Sequence, residues 1–298
     1  MQDTLDIVKK ADLLIKNSEY QLAIDSLNSA VKQIEENPIL YEFDVPVVYK
    51  KLGQCYGLKG DIEKAHEYLK EGLKFSTRNL NETEKSDILA SLAFLELETG
   101  ELYKALKYAA KAEDIIGEKR GKKFSGARAN TLKILGDIYF REGDIEKAEE
   151  YYRKTKLIYK KWKLGEQNAE IILDVVKIRI IEGNYIKAGF YLGDNLLEKL
   201  EKKYPILLSE YYLVLGKLET ETKQYGFAKK TFDMALKCAK EQHNERKIAE
   251  IYEAIGDLNV REEKREEAKV FYEKAIKHYT ERKRAPYIEK VETKLKFL

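Results

Sequence analysis

Between Arg153 and Lys163 the chain interleaves Lys154, Lys156, Lys160, Lys161 and Lys163 with Tyr159 and Trp162, and an earlier connection carries Lys119, Arg120, Lys122 and Lys123. Basic and aromatic side chains together can hold phosphates and stack bases, so nucleic-acid binding through 153–163 is one function to weigh. A long helix packed on a following element would instead turn Tyr159 and Trp162 inward and alternate its lysines outward as a solvated face. The charge balance favours the second reading: 55 Lys and Arg stand against 52 Asp and Glu, a formal charge of +3, which gives no general attraction to nucleic acid or anionic membrane. The other reactive residue types do not combine. His66, His243 and His278 are scattered and have no Cys or His at ligand spacing, so no zinc site is expected. No serine shows a histidine–acid partnership and there is no glycine-rich phosphate loop. The expectation is a non-enzymatic protein with no metal and no cofactor.

Cys55 and Cys238 are the only cysteines, too few and too far apart for a disulfide framework, which points to a reducing compartment. Residues 1–17 mix Asp3, Asp6, Lys9, Lys10 and Asp12 among the apolar ones, leaving no signal-peptide core, and no run approaches the roughly 18 apolar residues of a membrane span. A cytoplasmic protein is expected.

The elements that carry these residues are helices. With 36% charged residues, 44% hydrophobic residues and 4 Pro, the composition suits amphipathic helices with solvated outer faces. Ala23, Ala65, Ala105, Ala148, Ala188, Ala228 and Ala268 recur at gaps of about 40 to 43 residues, the regularity of a stacked repeat array. In the fourth repeat, Leu132, Leu135, Gly136 and Tyr139 fall on one helical face. Gly143 can then end that helix in the left-handed conformation, and Asp144 can accept from the free amides opening the next. Gly60-Asp61 and Gly183-Asn184 repeat this punctuation, and Gly100-Glu101 is a weaker version. Small residues allow helix backbones to cross closely while large ones fill the gaps between pairs.

The spacing of a bulky residue, Leu-Gly, Tyr, Gly, Ala, an aromatic and a final Ala resembles the tetratricopeptide repeat family. The second repeat supplies Tyr49, Leu52, Gly53, Tyr56, Gly60, Ala65, Leu69 and Gly72; the sixth Tyr212, Leu215, Gly216, Ala228, Phe232 and Ala235; the seventh Tyr252, Ile255, Gly256, Ala268, Tyr272 and Ala275. The resemblance runs from about Asp3 to Tyr279. It implies an all-α, right-handed superhelical solenoid of about seven antiparallel helix pairs: one domain over 1–298 with repeats at approximately 4–45, 46–85, 86–128, 129–168, 169–208, 209–248 and 249–284. A capping helix over 286–298, opened by Pro286 and carrying Ile288, Val291, Leu295 and Leu298, completes it. The period exceeds the common 34 residues. It is similar to that of kinesin light chains, Pins-type adaptors and the Rap-type peptide-sensing regulators of Gram-positive bacteria. With repeats starting near the first residue, no helix-turn-helix domain is expected ahead of them.

In this family the first helix of each repeat lines a concave groove, so the resemblance implies a protein or peptide partner held there. By register the contact set is Lys50, Gln54, Asp87, Phe94, Asn130, Lys133, Asp137, Arg141, Asp174, Lys177, Glu210, Leu213, Lys217, Glu253 and Asp257. The middle mixes Lys133, Arg141 and Lys177 with two aspartates and the last repeat is acidic, so an extended peptide with an acidic centre and a basic end is complementary. Lys50, Asn130, Lys133 and Lys177 do not reproduce the spacing with which some members hold a terminal carboxylate, so chaperone-tail binding is not expected.

The fifth repeat is the least regular. Val176 replaces a small residue, Arg179 stands where the fourth repeat has Tyr139, and Gly189 and Gly193 weaken the second helix by roughly 1 kcal/mol each. Glu219 holds the position equivalent to Arg179 in the next repeat, which predicts an Arg179–Glu219 ion pair. Two functional classes stand beside nucleic-acid binding: an adaptor or sensor with a preformed groove, and a stand-alone regulatory subunit whose superhelix pitch changes on peptide binding. A homo-oligomer is compatible with either.

Overall fold

The computed structural model describes residues 4–281 and 284–298; Met1, Gln2, Asp3, Arg282 and Lys283 lie outside the described residues. The chain forms two compact bodies, 1–158 and 159–298. The first holds α1 (Thr4–Lys16), α2 (Tyr20–Glu36), α3 (Val45–Lys59), α4 (Ile62–Arg78), α5 (Glu82–Thr99), α6 (Leu102–Ile116), α7 (Lys122–Glu142) and nearly all of α8 (Ile145–Lys161). The second holds α9 (Gly165–Ile181), α10 (Tyr185–Tyr191), α11 (Asp194–Lys203), α12 (Leu208–Glu221), α13 (Tyr225–Glu241), α14 (Glu245–Arg261), α15 (Arg265–Glu281) and α16 (Ala285–Lys296), with a 3-10 turn at Pro205–Leu207. The fold is an all-α solenoid of about seven antiparallel helix pairs ending in a helix.

The predicted punctuation is in place. Gly60, Gly143 and Gly183 have φ of 92°, 84° and 70°, and the following Asp61, Asp144 and Asn184 accept from the backbone amides of Lys64, Lys147 and Lys187. Gly100 is also left-handed at 86°, but Glu101 forms no side-chain cap. Asn81 and Asn244 are caps that the repeat pattern did not reveal; they bond the amides of Glu84 and Lys247. Helices α5 and α14 therefore open ahead of the expected boundaries at 86 and 249; α7 and α9 also open ahead of theirs, at 129 and 169, without a side-chain cap.

The seven recurrent alanines have no exposed surface. Opposite them glycine makes room for a ring: a Cβ on Gly136 would stand 2.5 Å from Tyr152, one on Gly216 2.5 Å from Phe232, and Gly256 is covered by Tyr272 in the same way. Stacked rings fill the next layer, Tyr56 on Tyr68 with centroids 5.4 Å apart and Tyr139 on Tyr151 at 5.5 Å. In both bodies the first helices of successive pairs approach each other closely and the second helices do not, so the first helices form the inner layer.

In the fifth pair the second helix is broken into α10 and α11 at Leu192–Gly193, where two glycines had weakened it. The expected Arg179–Glu219 pair is not formed. Arg179 is buried and pairs with Glu182 one turn on, at 2.5 Å, while burial raises the pKa of the Glu219 carboxyl. An acid within the same helix reaches the guanidinium at smaller conformational cost than one in the next repeat.

Helix α16 packs chiefly on α15, burying Val291 among Tyr272, Ala275 and Tyr279. Its outer residues Glu289, Glu292 and Lys296 are exposed, the polar surface a solenoid end needs.

Candidate functional site: the inner faces of the first helices

Each first helix spends its apolar residues on its two neighbours and turns polar ones to the inner face. In the first body most of these polar residues already engage one another. Lys50 was expected to be exposed; it is only 7% exposed, because Glu84 at 2.7 Å and Asp87 at 3.4 Å in the following first helix draw its ammonium inward. Burial by itself lowers the pKa of such an ammonium, but Asp87 and Glu84 outweigh it and the net direction is upward. Asn130 donates to Asp87 at 3.4 Å from the other side. Gln54 donates to Ser91 at 2.9 Å. Lys133 pairs with Asp137 at 3.1 Å, Asp137 also accepts from Tyr152 at 2.7 Å, and Arg141 donates to the carbonyl of Leu97 beside Glu98. Phe94 is half-buried on the same face, next to Ala93 and Tyr139 in one cluster.

The second body carries a continuous charge ladder. Lys177 contacts Asp174 at 2.9 Å and Glu210 at 2.5 Å; Glu210 in turn pairs with Lys247, which reaches Glu250 at 2.5 Å. Burial would raise the Glu210 carboxyl, yet Lys177 and Lys247 hold it well below the ordinary carboxylate range. The last repeat is acidic as expected, but Glu253 and Leu213, placed by register on the exposed side, are buried. The terminal helix neutralises the acids: Lys290 and Lys294 reach Glu253 at 2.8 and 2.7 Å, and Lys294 reaches Asp257 at 2.6 Å. The basic end once assigned to a ligand is therefore supplied by α16. Asp257 also accepts from Tyr272 at 2.7 Å, as Asp137 does from Tyr152.

Lys217 differs from the rest. It occupies the position that follows the small residue, as Gln54, Phe94, Asp137, Lys177 and Asp257 do, but it is exposed and forms no ion pair among the described residues. Phe232 stands where Tyr152 and Tyr272 stand in the neighbouring pattern and offers no hydroxyl. The surrounding protein lowers the pKa of its ammonium by desolvation, against the opposing pull of Glu253 and Glu250.

The side chains of the basic stretch are engaged within the protein. Tyr159 is buried, Lys154 pairs with Glu150 at 2.7 Å, and Lys161 lies over the Trp162 ring at 5.3 Å. Among the described residues no three His, Cys, Asp or Glu side chains lie close enough to hold a metal ion, and no helix is long and apolar enough to cross a membrane. Cys55 and Cys238 are free thiols; burial pushes the Cys55 thiol up to about 12.

Known proteins share this arrangement. Residues 85–161 match one tetratricopeptide repeat model, and residues 48–79 and 249–277 match another. The chain is thus an all-helical solenoid in which these three stretches match tetratricopeptide repeat models. Over 190 residues it is 27% identical to a protein described as CTR9 homolog from Arabidopsis thaliana, an alignment that takes in 63% of this chain and 16% of that protein. Two solved structures share the fold. The Rap protein complexed with competence and sporulation factor superposes with a TM-score of 0.62 at 14% identity, over 97% of this chain and 72% of that one. A tetratricopeptide repeat protein from Parabacteroides merdae superposes with a TM-score of 0.55 at 18% identity, over 97% and 98%.

Proposed function

We propose that this chain is a non-enzymatic, cytoplasmic scaffold of the long-repeat tetratricopeptide type, that its two bodies continue one array, and that it holds a protein or peptide on the inner faces of its first helices. The observation that carries the reading is Lys217, an exposed cation on a face whose other charges are mutually paired. Charges already satisfied within the protein offer a ligand little net gain, because each must exchange one partner for another. Lys217 has nothing to exchange. In the second body Lys217 is where a ligand's acidic group finds an open partner, and in the first body Phe94 offers an apolar one beside Gln54, while Lys50, Asn130, Lys133, Asp137, Arg141, Asp174 and Lys177 keep their own faces in shape. The Rap protein of the same fold, solved in complex with a factor, agrees with a binding role.

Selecting a displayed peptide library on the whole chain tests this. Selected peptides carry a carboxylate and lose at least about tenfold in affinity for the Lys217→Glu variant, a change of about 1.4 kcal/mol. Equal binding to both proteins refutes the assignment. A second reading, in which the ligand alters the spacing of helix pairs, is favoured by the break at Leu192–Gly193. It requires that a selected peptide change amide exchange across 191–194; unchanged exchange there dismisses it.

A further inference from the structure

The connection between α2 and α3 breaks three local rules at one place. Ile39, Leu40 and Phe43 are 92%, 72% and 67% exposed, and Leu80 in the α4–α5 turn is 86% exposed. The side chain of Asn79 donates to the carbonyl of Glu42 at 3.0 Å, which fastens the turn that carries Leu80 to the connection that carries Phe43. Together these side chains expose on the order of 500 Å² of apolar surface, the size of the largest patch on a typical monomer, which is often functional. Leu80 is also left-handed, with φ of 52°, as are Ser18, Lys163, Lys223, His243 and Glu263 in other turns, but it is the one aliphatic side chain among these described residues. A leucine there costs about 1 kcal/mol or more in backbone strain with no packing in return.

The third departure is electrostatic. Glu35 and Glu36 close α2, where the helix dipole favours cations, and the last turn of α2 holds no basic residue. Glu42 lies in the connection itself. None of the three forms an ion pair among the described residues. The surface is nevertheless fixed, because Tyr41 packs into the core between these exposed neighbours and the carbonyls of Asn37 and Tyr41 bond later amides of the turn.

We propose that this surface of the first body is a docking site for a partner-protein segment whose apolar side chains are flanked by lysine or arginine. Charge complementarity selects that occupant. Glu35, Glu36 and Glu42 outnumber Arg78, which stands over Phe75 at the end of α4, so the balance disfavours an anionic membrane and an acidic peptide and favours cations that also satisfy the α2 dipole. The preformed connection lowers the ordering cost of binding. The site is separate from the inner faces of the first helices and does not depend on them.

The probes are a short labelled amphipathic peptide of leucine and lysine, the same pattern with glutamate for lysine, and a third with serine for leucine. Anisotropy is read with the whole chain, with an Ile39→Ser, Phe43→Ser, Leu80→Gly variant, and with a Glu35→Lys, Glu36→Lys, Glu42→Lys variant. All six positions are exposed or in a turn, so circular dichroism should be retained and the melting temperature should not fall. The leucine–lysine peptide is expected to bind the unmodified chain at least about tenfold more tightly than either control, and to lose about tenfold on either variant. Lys217→Glu should leave that binding unchanged. Equal binding of the three peptides, equal binding to the variants, or loss on Lys217→Glu overturns the assignment. So does light scattering that shows a dimer abolished by the serine variant, which would make a second copy the occupant, or vesicle binding abolished by it, which would make it a lipid surface.

Discussion

Removing the carboxylate of Glu253 should take a defined part of the acid sensitivity out of the second body. Burial would raise its pKa, but Lys290 at 2.8 Å and Lys294 at 2.7 Å outweigh that and hold it at about 2, against an ordinary value of 4.5. Each pKa unit corresponds to about 1.4 kcal/mol, so the ionised carboxylate accounts for about 3 kcal/mol of stability at neutral pH. The folded value lies below the unfolded one. The contribution is therefore complete above about pH 4.5 and fades as the pH falls toward 2, with about 2 kcal/mol gone near pH 3. Glu253→Gln keeps an acceptor for Tyr279 and leaves Lys294 its contact with Asp257. Urea titrations at neutral pH and near pH 3, followed by the single tryptophan, Trp162, should show a pH-dependent loss about 2 kcal/mol smaller in the variant. Glu210 and Glu250 titrate in both proteins and cancel in the difference. Identical pH dependence would mean that Glu253 is not ionised against α16 and would refute the reasoning.

Further outcomes follow from packing and strain. Gly136→Ala drives a Cβ into the Tyr152 ring, costing about 1–3 kcal/mol against a helix-propensity gain of about 1, so a lower melting temperature is expected; Gly126→Ala, with nothing within 4 Å, should raise it. Glu263→Gly relieves a left-handed residue at φ of 62° and should stabilise the chain by up to about 1 kcal/mol in a urea titration. Lys50→Ala leaves Glu84 and Asp87 facing each other without their cation and should cost about 2–3 kcal/mol, less than a fully buried pair because both acids keep some water contact.

The repeat period, the helix pairing and the glycine–acid punctuation were legible because each has a local cause: Ala65 and its equivalents have no room for a larger side chain, and Gly143 needs a positive φ. The helix starts at Asn81 and Asn244 were read late, since a capping asparagine has no place in the packing pattern. The inner face was legible as a row but not as a network. Lys50 was placed in water because register alone does not show where a neighbouring helix offers acids. The signal was present in the sequence: Lys50 and Asp87, Glu210 and Lys247, and Asp257 and Lys294 are opposite charges with the same separation of 37 residues, which sets them side by side on adjacent first helices or, for Lys294, on α16 beside the last first helix. Arg179 was assigned a partner one repeat away when Glu182 stood one turn away. The role of α16 in neutralising Glu253 and Asp257 was hidden because a capping helix is read for its apolar residues, not for Lys290 and Lys294.

A cross-link map tests the central claim most directly. A selected peptide carrying a photoreactive side chain should couple to α3, α5, α12 or α14 on the inner layer, with Phe94, Gln54 or the vicinity of Lys217 among the modified positions. Coupling confined to the outward faces of α4, α6, α13 and α15 would contradict the account.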